Sequence, residues 1–208
     1  MTLATRDGRL CIMSGASRSG KTAMTVRLVR QGKFKAVFVW DIEDQWSKLQ
    51  GYKRITAFAD LLEVVKKGKP GKYAYVSQGD MKADFDRFCR AVFHYGSYFG
   101  ECAAVLEELA DVTTMSKAPE GWGILVRRGL KRGISLFPIS QRWAEADKTA
   151  IGNATDFYVF RAATGSDVDY MAKKTGLPRE RIAHLQPLEY LHKDALTGQV
   201  TGSKLTFR

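Results

Sequence analysis

Gly15-Ala16-Ser17-Arg18-Ser19-Gly20-Lys21-Thr22 spells GxxxxGK[ST] without a mismatch, a pattern that chance would place in roughly one chain in a hundred of this size. An apolar run at 10–13 precedes it and an amphipathic pattern follows, so the motif sits on a strand–loop–helix turn. Each residue type has a job in that setting. The glycines let backbone N–H groups turn inward around phosphate oxygens, and the helix N-terminus adds the positive end of its dipole. Lys21 reaches the β- and γ-phosphates as a point charge, and the Thr22 hydroxyl is placed to coordinate Mg²⁺. The motif predicts binding of ATP with magnesium through Gly15, Ala16, Ser17, Arg18, Ser19, Gly20, Lys21 and Thr22.

Outward from this turn, short apolar runs alternate with helical patterns. The runs at 10–15, 36–40, 73–77, 103–107, 134–140 and 157–160 read as strands, and 21–31, 58–67, 82–95, 122–131 and 167–175 read as helices. Most of the strands are continuously apolar, as expected for strands covered on both faces. Strand and helix alternating in this order predict an α/β fold, a three-layer sandwich around a mostly parallel sheet. After Pro187, two strand-like stretches at 188–193 and 199–207 flank Asp194-Ala195-Leu196-Thr197-Gly198, which predicts a C-terminal β-hairpin at about 188–208. No internal repeat or long linker interrupts the chain, so residues 1–208 are read as one domain.

A phosphate-binding loop needs acidic partners to hold the magnesium and align a water. Ala103-Ala104-Val105-Leu106-Glu107-Glu108 is an apolar strand ending in two carboxylates, and strand C-termini open into the ligand crevice of such sheets. Glu107 is assigned to the magnesium side and Glu108 to polarising the attacking water. Neighbouring strand residues face opposite ways, so both can serve only if the strand ends between them. An acidic start to a helix is the other reading of the pair. Asp41, with Glu43 and Asp44, is the competing acidic strand end, ranked second as a structural or water-positioning carboxylate. Gln141, after the strand at 134–139, can hydrogen-bond both γ-phosphate and lytic water, and a surface glutamine with no role would look the same. Trp46 and Tyr52 are either stacking partners for a base or packing residues.

Composition bounds the partners. The chain has 208 residues, a formal charge of +11, 45% hydrophobic and 26% charged residues, which is ordinary globular composition. Excess positive charge favours a polyanionic partner and is silent on fold. Three cysteines without a CxxC pair predict buried thiols and no structural disulfide, and three scattered histidines argue against a zinc site. Residues 1–8 are polar, without the apolar core of a secretion signal, and no apolar run approaches the roughly 20 residues of a membrane span. These features predict a protein that stays inside the cell. The lysine-rich stretch 66–72 reads as a solvated turn or as a phosphate-tracking loop.

Gly15 to Thr22, the strand ending in Glu107-Glu108, and Gly129-Leu130-Lys131-Arg132-Gly133-Ile134-Ser135 leading to Ser140-Gln141-Arg142-Trp143 together resemble the FtsK/HerA superfamily of ring-forming DNA motors. The resemblance covers about residues 10–175 and is greatest to the genome-packaging ATPases of membrane-containing phages and related viruses. It implies a P-loop NTPase fold of the RecA/FtsK-HerA kind and ATP-driven translocation of double-stranded DNA into a preformed capsid. It further implies a homo-oligomeric ring, usually a hexamer, with contacts to capsid vertex proteins, in the host cytoplasm or on the virion. An arginine from the neighbouring subunit would complete each site, with Arg127 and Arg128 as first candidates and Arg132, Arg142 and Arg161 behind them. This chain departs from the family pattern in Leu130 where an arginine often follows the glycine, in Glu107-Glu108 for Asp-Glu, and in Trp143 for proline. Lys66, Lys67, Lys69 and Lys117 are the candidate DNA contacts, suited to holding phosphates without reading bases. Three other readings remain: an assembly or secretion ATPase of the filamentous-phage, zonula-occludens-toxin-like kind, a small-molecule P-loop kinase, and a binding or scaffold module that holds nucleotide without hydrolysis.

Overall fold

The structure, a computed structural model, describes residues 7–206. The polar start of the chain before Asp7 and the last two residues of the hairpin reading lie outside that range. In chain order the elements are β1 (Cys11–Ser14), α1 (Lys21–Gly32), β2 (Ala36–Trp40), β3 (Tyr52–Ile55), α2 (Phe58–Lys66), β4 (Gly71–Tyr75), α3 (Met81–Phe99) and β5 (Cys102–Leu106). They continue with α4 (Leu109–Val112), α5 (Glu120–Arg128), β6 (Ile134–Ser140), α6 (Lys148–Gly152), β7 (Asp156–Phe160), α7 (Gly165–Thr175), α8 (Arg179–Ala183), β8 (Glu189–Asp194) and β9 (Val200–Lys204).

The strands form one nine-stranded sheet in the order β3-β4-β2-β5-β6-β1-β7-β8-β9. All pairings from β3 to β7 are parallel, and β8 and β9 add an antiparallel hairpin at the edge. The α/β expectation and the terminal hairpin both hold. Alternation along each strand divides the core in two. Met13, Val37, Val39, Val105 and Ile139 pack with Met24 and Val29 of α1. Ile12, Phe38, Trp40, Leu106 and Leu136 pack on the other face with α2, α3, α5 and α7. That second face is the thicker one, anchored by Trp40 against Tyr75, Phe85 and Phe88. Burying each such side chain contributes about 1.5–3 kcal/mol.

Several boundaries differ from the sequence reading. The strand expected at 73–77 lies at Gly71–Tyr75, because pairing with β2 in the register Ala36↔Gly71 to Trp40↔Tyr75 draws Gly71 and Lys72 into the sheet. The helix expected at 122–131 stops at Arg128, and a separate 3₁₀ turn, Leu130–Arg132, leads into Gly133, whose φ of 72° suits glycine. Edge strand β3 has no counterpart in the reading: Lys53 and Arg54 are exposed, and four residues carry too little apolar pattern to show.

At the sheet edge where the parallel strands begin, Arg9 forks onto the buried Asp156 with two contacts of 2.6 Å, and His192 Nε2 lies 2.8 Å from the same carboxylate. This cluster ties the approach to β1, the start of β7 and the hairpin together.

Candidate nucleotide-binding site

The phosphate-binding loop spans the gap between Ser14, at the end of β1, and Lys21, at the start of α1. Gly15 and Gly20 take φ values of 151° and 114°, in the region glycine favours. A Cβ on Gly15 would sit 2.7 Å from Phe160 Cβ, and one on Gly20 would sit 2.9 Å from Leu205 Cδ1. The hairpin and β7 therefore press directly on the loop, and Ala16 N donates to Arg161 O at 2.8 Å. Lys21 is buried and its Nζ donates to the carbonyls of Gly15 and Ala16, both at 2.8 Å. Burial pushes its pKa down, against the opposing pull of the Glu108 and Glu107 charges. Thr22 stands half-buried in the first turn of α1.

Two strands away, β5 ends at Leu106, and the chain turns so that both following carboxylates face the crevice. Glu107 continues the face of Ala103 and Val105 toward α1, while Glu108 takes a left-handed backbone with φ 42° at the start of α4. The strand ends at Leu106, before both, and the left-handed turn at Glu108 breaks the alternation that would send the two side chains to opposite faces. Glu107 is 7% exposed; its Oε1 accepts from Trp46 Nε1 at 2.7 Å, and its Oε2 has no partner among the described residues. Burial, reinforced by Asp41 and Glu108 and opposed by the Trp46 hydrogen bond, pushes its carboxyl up to about 8. Asp41, fully buried, accepts from the backbone N–H groups of Gln45 and Ser47 at 2.8 and 2.9 Å. Its bonds fold the turn that delivers Trp46, so Asp41 is structural. Trp46 has no exposed surface, so it serves as packing and as the Glu107 donor, not as a stacking surface for a base.

β6 lies between β1 and β5 and delivers Gln141 between the loop and the acidic pair. Its Nε2 donates to Glu108 Oε1 at 3.0 Å. Trp143, two residues on, is buried and donates from Nε1 to Met13 O at 2.9 Å, fastening the segment after β6 to β1. The residues fit a magnesium–nucleotide complex: among the described residues Ser19 Oγ and Glu107 Oε2 are buried without partners, and Lys21 Nζ is held by loop carbonyls alone. Thr22 and Glu107 are the side chains that would hold the metal.

The structure brings Lys21, Glu107, Glu108 and Gln141 together and leaves other candidates apart. Arg127 and Arg128 are exposed at the end of α5, on the edge where β6 begins, opposite the phosphate-binding loop of the same chain. Lys66, Lys67 and Lys69 lie on that edge too, with Lys67 and Lys69 both paired to Glu63 at 2.9 and 3.1 Å. Lys117, in the loop between α4 and α5, is on the nucleotide edge. Among the described residues no helix is long and apolar enough to cross a membrane, no His/Cys/Asp/Glu group has a metal-holding arrangement, and all three cysteines are free and buried. The hairpin leucines have no counterpart among the expected site residues, and Trp46 is expected only as a base-stacking or packing residue; its buried contact with Glu107 spans 61 positions, and no local signal marks it.

No family model matches the chain. Protein P9 of Pseudoalteromonas phage PM2 is 28% identical over 202 residues, covering 95% of this chain and 90% of that protein. Among solved structures, the genome-packaging NTPase B204 of Sulfolobus turreted icosahedral virus 2, in complex with AMPPCP, superposes with a TM-score of 0.79 at 14% identity, covering 96% of this chain and 98% of that one. The N-terminal domain of zonular occludens toxin from Neisseria meningitidis superposes with a TM-score of 0.54 at 16% identity, covering 97% and 95%. In fold the chain is a P-loop NTPase, similar along nearly its whole length to a viral genome-packaging NTPase.

Proposed function

We propose that the chain is an ATP-hydrolysing motor that moves double-stranded DNA and loads a viral genome into a preformed capsid. The observation that carries this reading is the Glu108–Gln141 hydrogen bond of 3.0 Å, set beside Lys21 at the ends of adjacent strands. A carboxylate and an amide arranged this way can orient a water toward the γ-phosphate, which is what hydrolysis needs; a small-molecule kinase would instead need an acceptor pocket there. Lys21 leaves its two loop carbonyls for the phosphates and neutralises their charge. Thr22 and Glu107 would hold a magnesium ion, which would supply further neutralisation of phosphate charge. Glu108 takes the proton of the attacking water, and Gln141 holds that water and the γ-phosphate oxygen in line.

Similarity in fold to a packaging NTPase, net charge +11 and whole-chain similarity to a phage protein support DNA as the partner. The working unit is a homo-oligomeric ring, proposed as a hexamer, in which Arg127 or Arg128 reaches the neighbour's nucleotide. That role agrees with their position away from the phosphate-binding loop of their own chain. Lys66, Lys67, Lys69 and Lys117 contact DNA phosphates, and the ring works in the host cytoplasm at a capsid vertex. A filamentous-phage-type assembly ATPase is the second reading, favoured by the likeness to the zonular occludens toxin domain. ATP hydrolysis with and without duplex DNA, at two salt concentrations, tests the proposal. Turnover should rise with DNA, lose that stimulation at high salt and vanish in Lys21→Ala and Glu108→Gln. Turnover indifferent to DNA contradicts it.

A further inference from the structure

The loop 113–119 between α4 and α5 is an exposed strap whose two feet stand on one residue. At its first foot, Thr113 is 2% exposed; its hydroxyl donates to Leu109 O at 2.8 Å and accepts from the backbone N–H of Asp147 at 3.1 Å. At the other, the Asp147 carboxylate accepts from Trp122 Nε1 of α5 at 3.0 Å, and also from Thr149 Oγ1 at 3.1 Å. Asp147 is itself buried and lies six residues beyond Gln141 in the segment that Trp143 fastens to β1. Glu108 is joined to Thr113 by the four residues of α4, a single turn about 6 Å long. The two groups that face the attacking water therefore run, by one short helix and one short buried segment, into the same hydrogen bond.

The strap has a preformed tip. Thr114 N and Oγ1 both donate to Lys117 O, at 2.9 and 3.0 Å, and Lys117 N donates back to Thr114 Oγ1 at 3.1 Å. This turn presents Met115, 51% exposed, beside Lys117, with no acidic residue between 112 and 119. The other candidate DNA loop lies at the opposite edge of the sheet, with two of its lysines neutralised by Glu63.

We propose that Thr113 is a positioning residue that couples the Glu108–Gln141 pair to the strap 113–119, and that this strap grips the phosphate backbone of DNA during turnover. The inference rests on the motor reading above and adds the element that senses DNA. Loading of the γ-phosphate position shifts Glu108 and Gln141 relative to each other. The Thr113–Asp147 bond carries that shift to both feet of the strap, and DNA bound on the strap biases the same bond in return.

The test compares Thr113→Val, which keeps the shape and loses the hydroxyl, with Thr113→Ser, which keeps the hydroxyl, in the full chain. ATP turnover is read with and without a duplex of random sequence. Thr113→Val should keep DNA-free turnover within about twofold and lose about tenfold or more of the DNA stimulation, while Thr113→Ser retains it. Lys117→Ala should weaken duplex binding alike on all sequences and reduce its salt dependence. Thr113→Val with intact DNA stimulation overturns the coupling. A loss of DNA-free turnover in both Thr113 variants also overturns it, because it makes the residue merely structural. If Thr113→Val does not fold, Thr113→Ser and Lys117→Ala decide: lost stimulation in the first or unchanged DNA binding in the second overturns the inference. A wild-type chain indifferent to DNA overturns the motor reading itself, a failure distinct from one seen only in the variants.

Discussion

Glu107 sits at a fully buried strand end with one oxygen on the Trp46 indole and the other without a partner. A buried carboxyl left in that state depends heavily on its single donor. Trp46→Phe keeps the ring packing against Tyr52 and removes the donor, so it should destabilise the fold by about 1–3 kcal/mol, read as a lower urea midpoint at unchanged slope. An unchanged midpoint would mean that the Glu107 carboxyl is satisfied in another way. The strand–loop–helix turn at Gly15 to Thr22 was legible from the motif, because its geometry is local. The pair Glu107 and Glu108 was legible as a strand end, and the left-handed φ of 42° at Glu108 shows how two neighbours reach one crevice. A structural carboxylate at Asp41 and a packing indole at Trp46 were among the readings, but the contact of Trp46 with Glu107 was not legible, because it depends on a fold-back of the chain that brings a turn beyond β2 against the end of β5.

The hairpin of β8 and β9 is the element whose importance exceeds its sequence signal. Leu188, in a left-handed backbone of φ 68°, accepts from Leu205 N at 2.9 Å, and both side chains close on Gly20. Leu205→Ala opens a cavity against the phosphate-binding loop and should cost about 2–5 kcal/mol, with weakened nucleotide binding as its second sign. A lowered thermal midpoint with unchanged nucleotide affinity would separate the hairpin from the loop. At its other end the hairpin is held through Asp156. Burial raises that carboxyl, but hydrogen bonds from His192, Thr155 and Arg9 outweigh it and hold the pKa below the ordinary value. A depressed carboxyl gives stability that is present above its unfolded pKa, near 4, and lost as pH falls through the lower folded value. Unfolding free energy should therefore fall below about pH 4, and Asp156→Asn should flatten that decline; an equally steep decline in the variant would place the acid sensitivity elsewhere. The hairpin itself was legible from its turn residues. Its docking on the loop was not, since packing between the last strands and the first is a property of the assembled sheet.

For the whole molecule, alternation of apolar runs and helical patterns was enough to read a parallel α/β sheet. The order of the strands, and the thicker helix layer on one face, came only from the structure. Placing β6 between β1 and β5 is what turns Gln141 from an ambiguous surface amide into the partner of Glu108. The same topology puts the basic loop 66–72 and the strap 113–119 on opposite edges, a separation that composition cannot express. Directed movement along DNA is the central claim, and it goes beyond nucleotide binding or DNA-stimulated turnover. The most direct measurement is displacement of a triplex-forming strand annealed to one end of a long duplex, followed with ATP, with a non-hydrolysable analogue and with Glu108→Gln. Displacement that requires both ATP and an intact Glu108 is the predicted result. A wild-type protein that hydrolyses ATP in the presence of the duplex yet leaves the third strand in place would contradict translocation.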